Sequence, residues 1–261
     1  MCELSIVTVV LEDVAGLART LDSVRPVLSA GEPVQHVIVD GGSVDGTAEL
    51  AREYASGFRG RSVVVVSEPD DGLYDAMNKG TSRSEGRYVL FLNADDELAG
   101  TGPLRRVLAA LGSTRPTWLV ARTAFLDGAR AVTGVSENLP FRRWRHLLGF
   151  QMHAHPSTVV RRDVIEELGG FDPALAGFAA DWDLVARVAR RSPRPVEVDE
   201  VLSLFAAGGI SGTREADVPD VLGHIRRHRF QRHAFVRRLD VVWTSVHRWR
   251  WGVHMRAKES A

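Results

Sequence analysis

Apolar and polar positions alternate between two rhythms through the first half of the chain. Leu4 to Val10 (LSIVTVV) is almost continuously apolar and β-branched, the pattern of a strand covered on both faces. From Val14 the period changes: Leu17, Leu21, Val24 and Leu28 recur at helical spacing. Gln35 to Asp40 (QHVIVD) predicts a second strand ending in an acid, and Gly41-Gly42-Ser43 a turn. Asp45 fits a cap ahead of a helix over Thr47 to Tyr54. Ser62 to Ser67 (SVVVVS) predicts a third strand, Asp70-Asp71-Gly72 a break, Leu73 to Ser82 a helix and Tyr88 to Leu92 a fourth strand. Strands alternating with helices, with the strands buried, predict an α/β fold with a mostly parallel sheet.

The second half is less regular. Trp118 to Ala124, Ala131 to Val135 and Thr158 to Val160 read as strands, and Leu139 to Leu148 as a short amphipathic helix. Asp163 to Leu168 reads as a helix closed by Gly169-Gly170, with a turn at Phe171-Asp172-Pro173. Asp181, Trp182 and Asp183 open a helix to about Arg190, where an acid near the start is stabilised by the helix dipole or acts as a cap. Phe235, Leu239, Val242, Val246, Trp249 and Val253 trace one apolar stripe, with arginines over much of the opposite face.

Ligands of parallel α/β sheets collect at the carboxyl ends of the strands. Here the second, third and fourth strands run into Asp40, Asp70-Asp71 and Asp95-Asp96, and Thr8 lies near the end of the first. In Phe91-Leu92-Asn93-Ala94-Asp95-Asp96 a buried strand ends abruptly in a carboxylate pair, which is costly unless its charge is compensated. A solvated turn explains one such cluster. Several acids at one sheet edge favour a cation and phosphate site, because their mutual repulsion needs an offset. There is no GxGxxG after the first strand, no GxxxxGK[ST], and no CxxC, HExxH or GxSxG, so dinucleotide, P-loop and nucleophilic-hydrolase readings lose their main support.

The 261 residues suffice for one large domain with an appendage, and 44% hydrophobic with 25% charged residues is ordinary for a globular chain. The single Cys2 forms no internal disulfide and fits a reducing, cytoplasmic setting. Met1 to Val10 carries an acid and runs straight into a strand, so no secretory leader is expected. No apolar run approaches the ~18 residues of a spanning helix. Net charge is zero but uneven. His224 to Lys258 carries ten Arg and Lys against the lone acid Asp240, which leaves the rest of the chain at net −9.

VIVDGGSVDGT (Val37 to Thr47), EPDDGLYDAMNKG (Glu68 to Gly80), GRYVLFLNADD (Gly86 to Asp96), HPSTVVRRDVIEELGGFD (His155 to Asp172), AADWDLVAR (Ala179 to Arg187) and GGIS (Gly208 to Ser211) stand in an order that resembles the family 2 glycosyltransferases. The resemblance covers about Leu4 to Ser211. It implies the GT-A fold: a three-layer α/β/α sandwich around a mostly parallel sheet, here residues 1–212, with residues 213–261 as a basic, helical C-terminal extension. It places Thr8 where the first strand meets the nucleotide and Asp40 at the base or ribose. Asp71, Gly72, Tyr74, Asn78 and Lys79 fall in the donor-binding segment. Asn93, Ala94 and Asp95 match the DxD motif, with Asp95 meeting Mg²⁺ or Mn²⁺ and the diphosphate. The first position is Asn rather than Asp, which leaves one carboxylate anchor with Asp96 as a helper. Asp181 aligns with the catalytic base, and His155 is a further candidate for the metal or diphosphate.

These roles imply inverting transfer of a sugar from a nucleotide-diphosphate donor, a UDP-sugar first, to a hydroxyl on a glycan, a lipid-linked or a small-molecule acceptor. The other reading is an inactive nucleotide-sugar binding or scaffold protein, which Asn93 supports. Residues 224–258 have three competing uses: packing on the catalytic domain, lying on an anionic membrane surface at the inner face, or pairing in a homodimer. No nucleic-acid motif is present.

Overall fold

The structure is a computed structural model describing residues 2–58, 60, 62–151, 153, 155–175, 179–206, 218–230, 238–246 and 248. The N-terminal half alternates as its sequence predicts: β1 (Leu4–Val10), α1 (Val14–Ser29), β2 (Val34–Asp40), α2 (Thr47–Ser56), β3 (Val63–Ser67), α3 (Leu73–Arg83) and β4 (Tyr88–Phe91). There follow β5 (Glu97–Leu98), α4 (Thr101–Thr114), β6 (Trp118–Leu126), β7 (Val132–Val135), α5 (Arg143–Leu147), β8 (Thr158–Arg161), α6 (Arg162–Glu167), α7 (Ala179–Arg191), β9 (Val196–Ala206) and α8 (Val218–Ile225).

One mixed sheet runs in the order β3-β2-β1-β4-β8-β6-β9-β5, with β7 beside β6. β3, β2, β1 and β4 are mutually parallel, so their carboxyl ends share one edge. β8 enters antiparallel between β4 and β6, and β9 lies parallel to β6. The period of two along each strand feeds two cores. Leu4, Ile6, Tyr88 and Leu90 face Val24, Leu104, Val107 and Leu111 of α1 and α4, whereas Val7, Val9, Val37, Val89 and Phe91 face Met77, Val164, Leu184 and Val188 of α3, α6 and α7. This is the three-layer α/β/α arrangement.

Two helices differ from expectation. The predicted helix over Leu139 to Leu148 shrinks to α5, because Pro140 disfavours helix at the residue before it. The amides of Phe141 and Arg142 are taken by the side chains of Glu197 and Gln151. α4 was absent from the sequence reading, since Gly102 and Pro103 blur its first turn, where a proline is in fact tolerated. The C-terminal residues pack on the preceding part of the chain through α8: Leu222 and Ile225 join Trp182 and Ala186 of α7 in one apolar cluster. Buried Arg226 pairs with Asp240 at 2.7 Å, which fastens helix 238–246 to α8. Among the described residues no helix is long and apolar enough to cross a membrane.

Candidate active site

The edge where β1 to β4 end holds most of the residues singled out from sequence. At the end of β2, fully buried Asp40 accepts Ser67 Oγ at 2.7 Å and the Ser43 amide at 3.2 Å, which shapes the turn after the strand. The next loop is built on its own acids. The Asp70 carboxylate takes the Gly72 amide at 2.9 Å, and Asp75 takes the amide of exposed Asp71 at 3.1 Å. Gly72 stands at φ 108°, a conformation side chains disfavour, and opens α3. Lys79, one turn beyond Asp75, holds Asp75 at 3.1 Å and the Pro69 carbonyl at 2.8 Å.

Three expected donor contacts turn inward instead. Thr8 is fully buried, its hydroxyl donating to the Leu92 carbonyl at 2.7 Å and meeting His36 Nε2 at 2.9 Å, so it ties β1 to β4 and β2. Asn78 spends both ends of its amide on one residue, donating to the Phe171 carbonyl at 3.0 Å and accepting the Phe171 amide at 2.9 Å. Tyr74 stacks on the Phe171 ring, with centroids 5.3 Å apart. Burial pushes the Tyr74 hydroxyl well above the usual phenol range, and the backbone N–H groups of Ala180 and Asp181 point at it. Helix α3 is thereby joined to the start of α7. Gly170 permits the close approach, since a Cβ there would lie 2.3 Å from Asn78 Oδ1.

The loop after β4 is pinned by Thr20 of α1, whose hydroxyl donates to the Asp96 carbonyl at 2.7 Å. Asp95 takes the left-handed conformation at φ 75°, uncommon for a non-glycine residue. Its Oδ1 accepts Arg19 Nε at 2.6 Å and Arg130 Nη1 at 2.7 Å, and Arg130 also pairs with Glu97. Neither arginine was singled out from sequence. They lie 76 and 35 positions from Asp95, on α1 and on the β6–β7 hairpin, and nothing local marks them. Ala94 is held at the edge by its backbone N–H, which donates a hydrogen bond to the Val9 carbonyl at 3.1 Å, and the Asn93 Oδ1 beside it is buried without a hydrogen-bond partner among the described residues.

Asp96 and His155 differ from their expected places at a metal. Asp96 points away from Asp95: its Oδ1 accepts the Ala206 amide at 3.1 Å, and its Oδ2 lies 3.8 Å from His155 Nε2. His155 Nδ1 is 3.0 Å from Asp181 Oδ2. Both ring nitrogens face carboxylates, but only Nδ1 is within hydrogen-bond distance; Nε2 is buried without a hydrogen-bond partner among the described residues. Burial alone would lower the His155 imidazole, but the charge and hydrogen bond of Asp181, joined by Asp96, push it up to about 10. Burial raises the Asp96 carboxyl, which the His155 contact partly offsets. Asp181 sits in the first turn of α7 with Oδ1 buried and without a hydrogen-bond partner among the described residues. Two residues on, Asp183 is structural: it is fully buried and bonded by Arg187 at 2.8 Å, and Arg187 also donates to the Leu168 and Gly170 carbonyls. Of the expected loop GGIS, residues 208–211 lie outside the described residues. A groove of about 690 Å³ between α5 and Pro193 to Glu197 lies at the opposite, amino end of β9 from Ala206 and Asp96.

A mixed α/β sheet whose parallel strands end in an edge carrying Asp95, with a buried Asp181 Oδ1 that has no hydrogen-bond partner among the described residues at the start of α7, has the layout of a GT-A glycosyltransferase. The glycosyl transferase family 2 model matches residues 5–169, and the chain belongs to that family. It is similar to the uncharacterized glycosyltransferase Rv1514c of Mycobacterium tuberculosis, 30% identical over 226 residues, covering 85% of this chain and 81% of that one. The PGL/p-HBAD biosynthesis glycosyltransferase Rv2957 of the same organism is 31% identical over 214 residues, covering 80% and 79%. Among solved structures, Staphylococcus aureus TarS 1–349 in complex with UDP-GlcNAc superposes with a TM-score of 0.66 at 17% identity, covering 86% of this chain and 66% of that one. For TarS 1–349 without that ligand the TM-score is 0.67, and this chain spans 64% of its length. The mannosyltransferase PcManGT of Pyrobaculum calidifontis, in complex with GDP-Man and Mn²⁺, gives 0.61 at 17% identity, covering 85% and 61%.

The described residues contain no cluster of three or more His, Cys, Asp or Glu arranged for a metal. A smaller demand is met. Mg²⁺ is commonly held by one or two carboxylates together with substrate phosphates and water. The second Asp95 oxygen and the unpartnered Asn93 Oδ1 stand on one short loop and fit such a cation.

Proposed function

We propose that the chain is an inverting glycosyltransferase that moves a sugar from a nucleotide-diphosphate donor, a UDP-sugar first, to a hydroxyl acceptor in envelope polysaccharide or glycolipid synthesis. The observation that carries this reading is Asp181, whose Oδ1 is buried, unpartnered among the described residues and set at the start of α7. The similarity to a PGL/p-HBAD biosynthesis enzyme and to a TarS complex with UDP-GlcNAc supports the envelope setting and the donor.

In this reading Asp181 takes the proton from the acceptor hydroxyl as that oxygen attacks the anomeric carbon opposite the diphosphate. One base acting in line inverts the configuration, by the logic of inverting glycosidases. Asp95, with Asn93, would hold Mg²⁺ or Mn²⁺, which supplies positive charge to the departing diphosphate. Arg19 and Arg130 keep Asp95 oriented. Asp40, the Asp71-Gly72 turn and Lys79 border the nucleotide side, while Thr8, Tyr74 and Asn78 support it from beneath.

We take residues 1–212 as the catalytic domain and 213–261 as its extension. Leu239, Val241, Val242 and Val246 of helix 238–246 are exposed. Trp243 meets Phe150, which meets exposed Trp144 beside the exposed arginines 142, 143 and 145. This basic, apolar face supports contact with the inner, anionic membrane surface and suits a lipid-linked acceptor. A homodimer through the same face is the competing use. The remainder of 224–258 lies outside the described residues.

Asp181→Asn tests the central claim. The variant is expected to bind UDP with Mg²⁺ as the intact protein does, by calorimetry, while transfer falls about 10²- to 10⁴-fold, the range for a lost general base. Unchanged turnover would remove Asp181 from the reaction and favour the scaffold reading.

A further inference from the structure

We propose that His155 is a positioning residue of the transfer reaction: its ring is hydrogen-bonded to Asp181 and faces Asp96, and so fixes which oxygen of the base faces the acceptor. The inference rests on the reading of Asp181 as that base.

The three groups come from separate elements. Asp96 follows β4, His155 precedes β8 and Asp181 opens α7, and their exposures are 4%, 7% and 9%. Each is held from behind. Asp96 is fixed by the Ala206 amide and by Thr20 on its carbonyl. Two residues after His155, Ser157 donates to the Arg122 carbonyl at 2.8 Å and meets Ser203 Oγ at 2.7 Å, which locks the turn against β6 and β9. α7 is anchored by Trp182, whose indole N–H donates to the His146 carbonyl at 2.9 Å.

A carboxylate free to rotate offers either oxygen to an incoming proton. In this site Oδ2 of Asp181 is engaged by His155 Nδ1 at 3.0 Å, and Oδ1 alone is left without a partner among the described residues. The hydrogen bond therefore chooses the reactive oxygen. It also answers a charge problem. Two buried carboxylates face one ring, and an imidazolium between them offsets their repulsion. The group on the far side, Asp96, belongs to the same loop as Asp95. The ring thus spans from the donor-side loop to the acceptor-side helix, and the base is registered against the place where the diphosphate would sit.

Activity is read as nucleoside diphosphate released from whichever of UDP-glucose, UDP-N-acetylglucosamine and GDP-mannose the intact protein turns over fastest. His155→Ala is expected to lower kcat about 10²-fold, the cost of a misplaced reacting group, with donor KM and UDP affinity nearly unchanged. His155→Asn, whose amide nitrogen sits near the Nδ1 position, is expected to restore most of kcat, and His155→Gln, which reaches instead toward Asp96, to restore less. In an Asp181→Asn background, His155→Ala should cost nothing further. Loss confined to donor KM, or rescue by Gln and not Asn, would overturn the inference, as would a His155→Ala protein of full kcat beside an inactive Asp181→Asn. An active Asp181→Asn protein would overturn the base assignment itself and the inference with it. If His155→Ala does not fold, the Asn and Gln proteins decide between these outcomes.

Discussion

At His155 the two directions of electrostatic tuning oppose each other within one ring. An imidazole in the unfolded chain loses its proton near 6.5, whereas Asp181 and Asp96 hold it in the folded site, against the effect of burial, up to about 10. The folded state therefore binds the proton more tightly. Its stabilisation is complete below pH 6.5 and is lost as pH rises through about 10. Denaturant midpoints measured across that window are expected to fall in the intact protein and to fall less in His155→Asn. Parallel curves would show that the ring is neutral in the site. The sequence named His155 and Asp181 as candidates but not their contact, because 26 positions and a turn of unknown direction separate them. Asp95 was legible as the acid after a buried strand, while its arginines were not, since long charged side chains leave no periodic trace.

At the scale of elements, α3 shows where periodicity stops being informative. Its motif places Tyr74, Asn78 and Lys79 on one helix, and the structure divides them: Lys79 serves the outer loop, Tyr74 and Asn78 the interior. Which face looks outward depends on a loop 93 positions later in the chain. Asn78→Ala strips both partners from the buried Phe171 backbone, so a loss of about 2 kcal/mol is expected. Thermal unfolding should register this as a fall of about 4–8 °C in Tm. An unchanged Tm would mean that water replaces the amide. The parallel strands β1 to β4 were readable because burial on both faces writes an unbroken apolar run. β9 was not. Its Glu197, Asp199 and Glu200 interrupt the run, and they are spent on the Phe141 amide, Arg122 and Arg106.

For the whole molecule, three other histidines set the acid limit. Burial lowers His36 to about 3, His146 to about 4 and His153 to about 3, so all stay neutral when folded and take up protons near 6.5 on unfolding. Stability is thus lost as pH falls below 6.5 toward those values, the reverse of the His155 case. Urea midpoints are expected to drop steadily below pH 6.5, and a flat profile would mean these rings are already charged in the folded state. The segment that joins the halves has a practical side. The family match ends at residue 169, yet Phe171 is gripped by Asn78, stacked on Tyr74, set edge-on to Phe91, and followed by the helix whose Arg187 holds the Gly170 carbonyl. A chimera spliced at the edge of the match would exchange the tenon and leave its mortise behind. Grafts from relatives of the segment beyond residue 169 must therefore carry residues 74, 78 and 171 as a set.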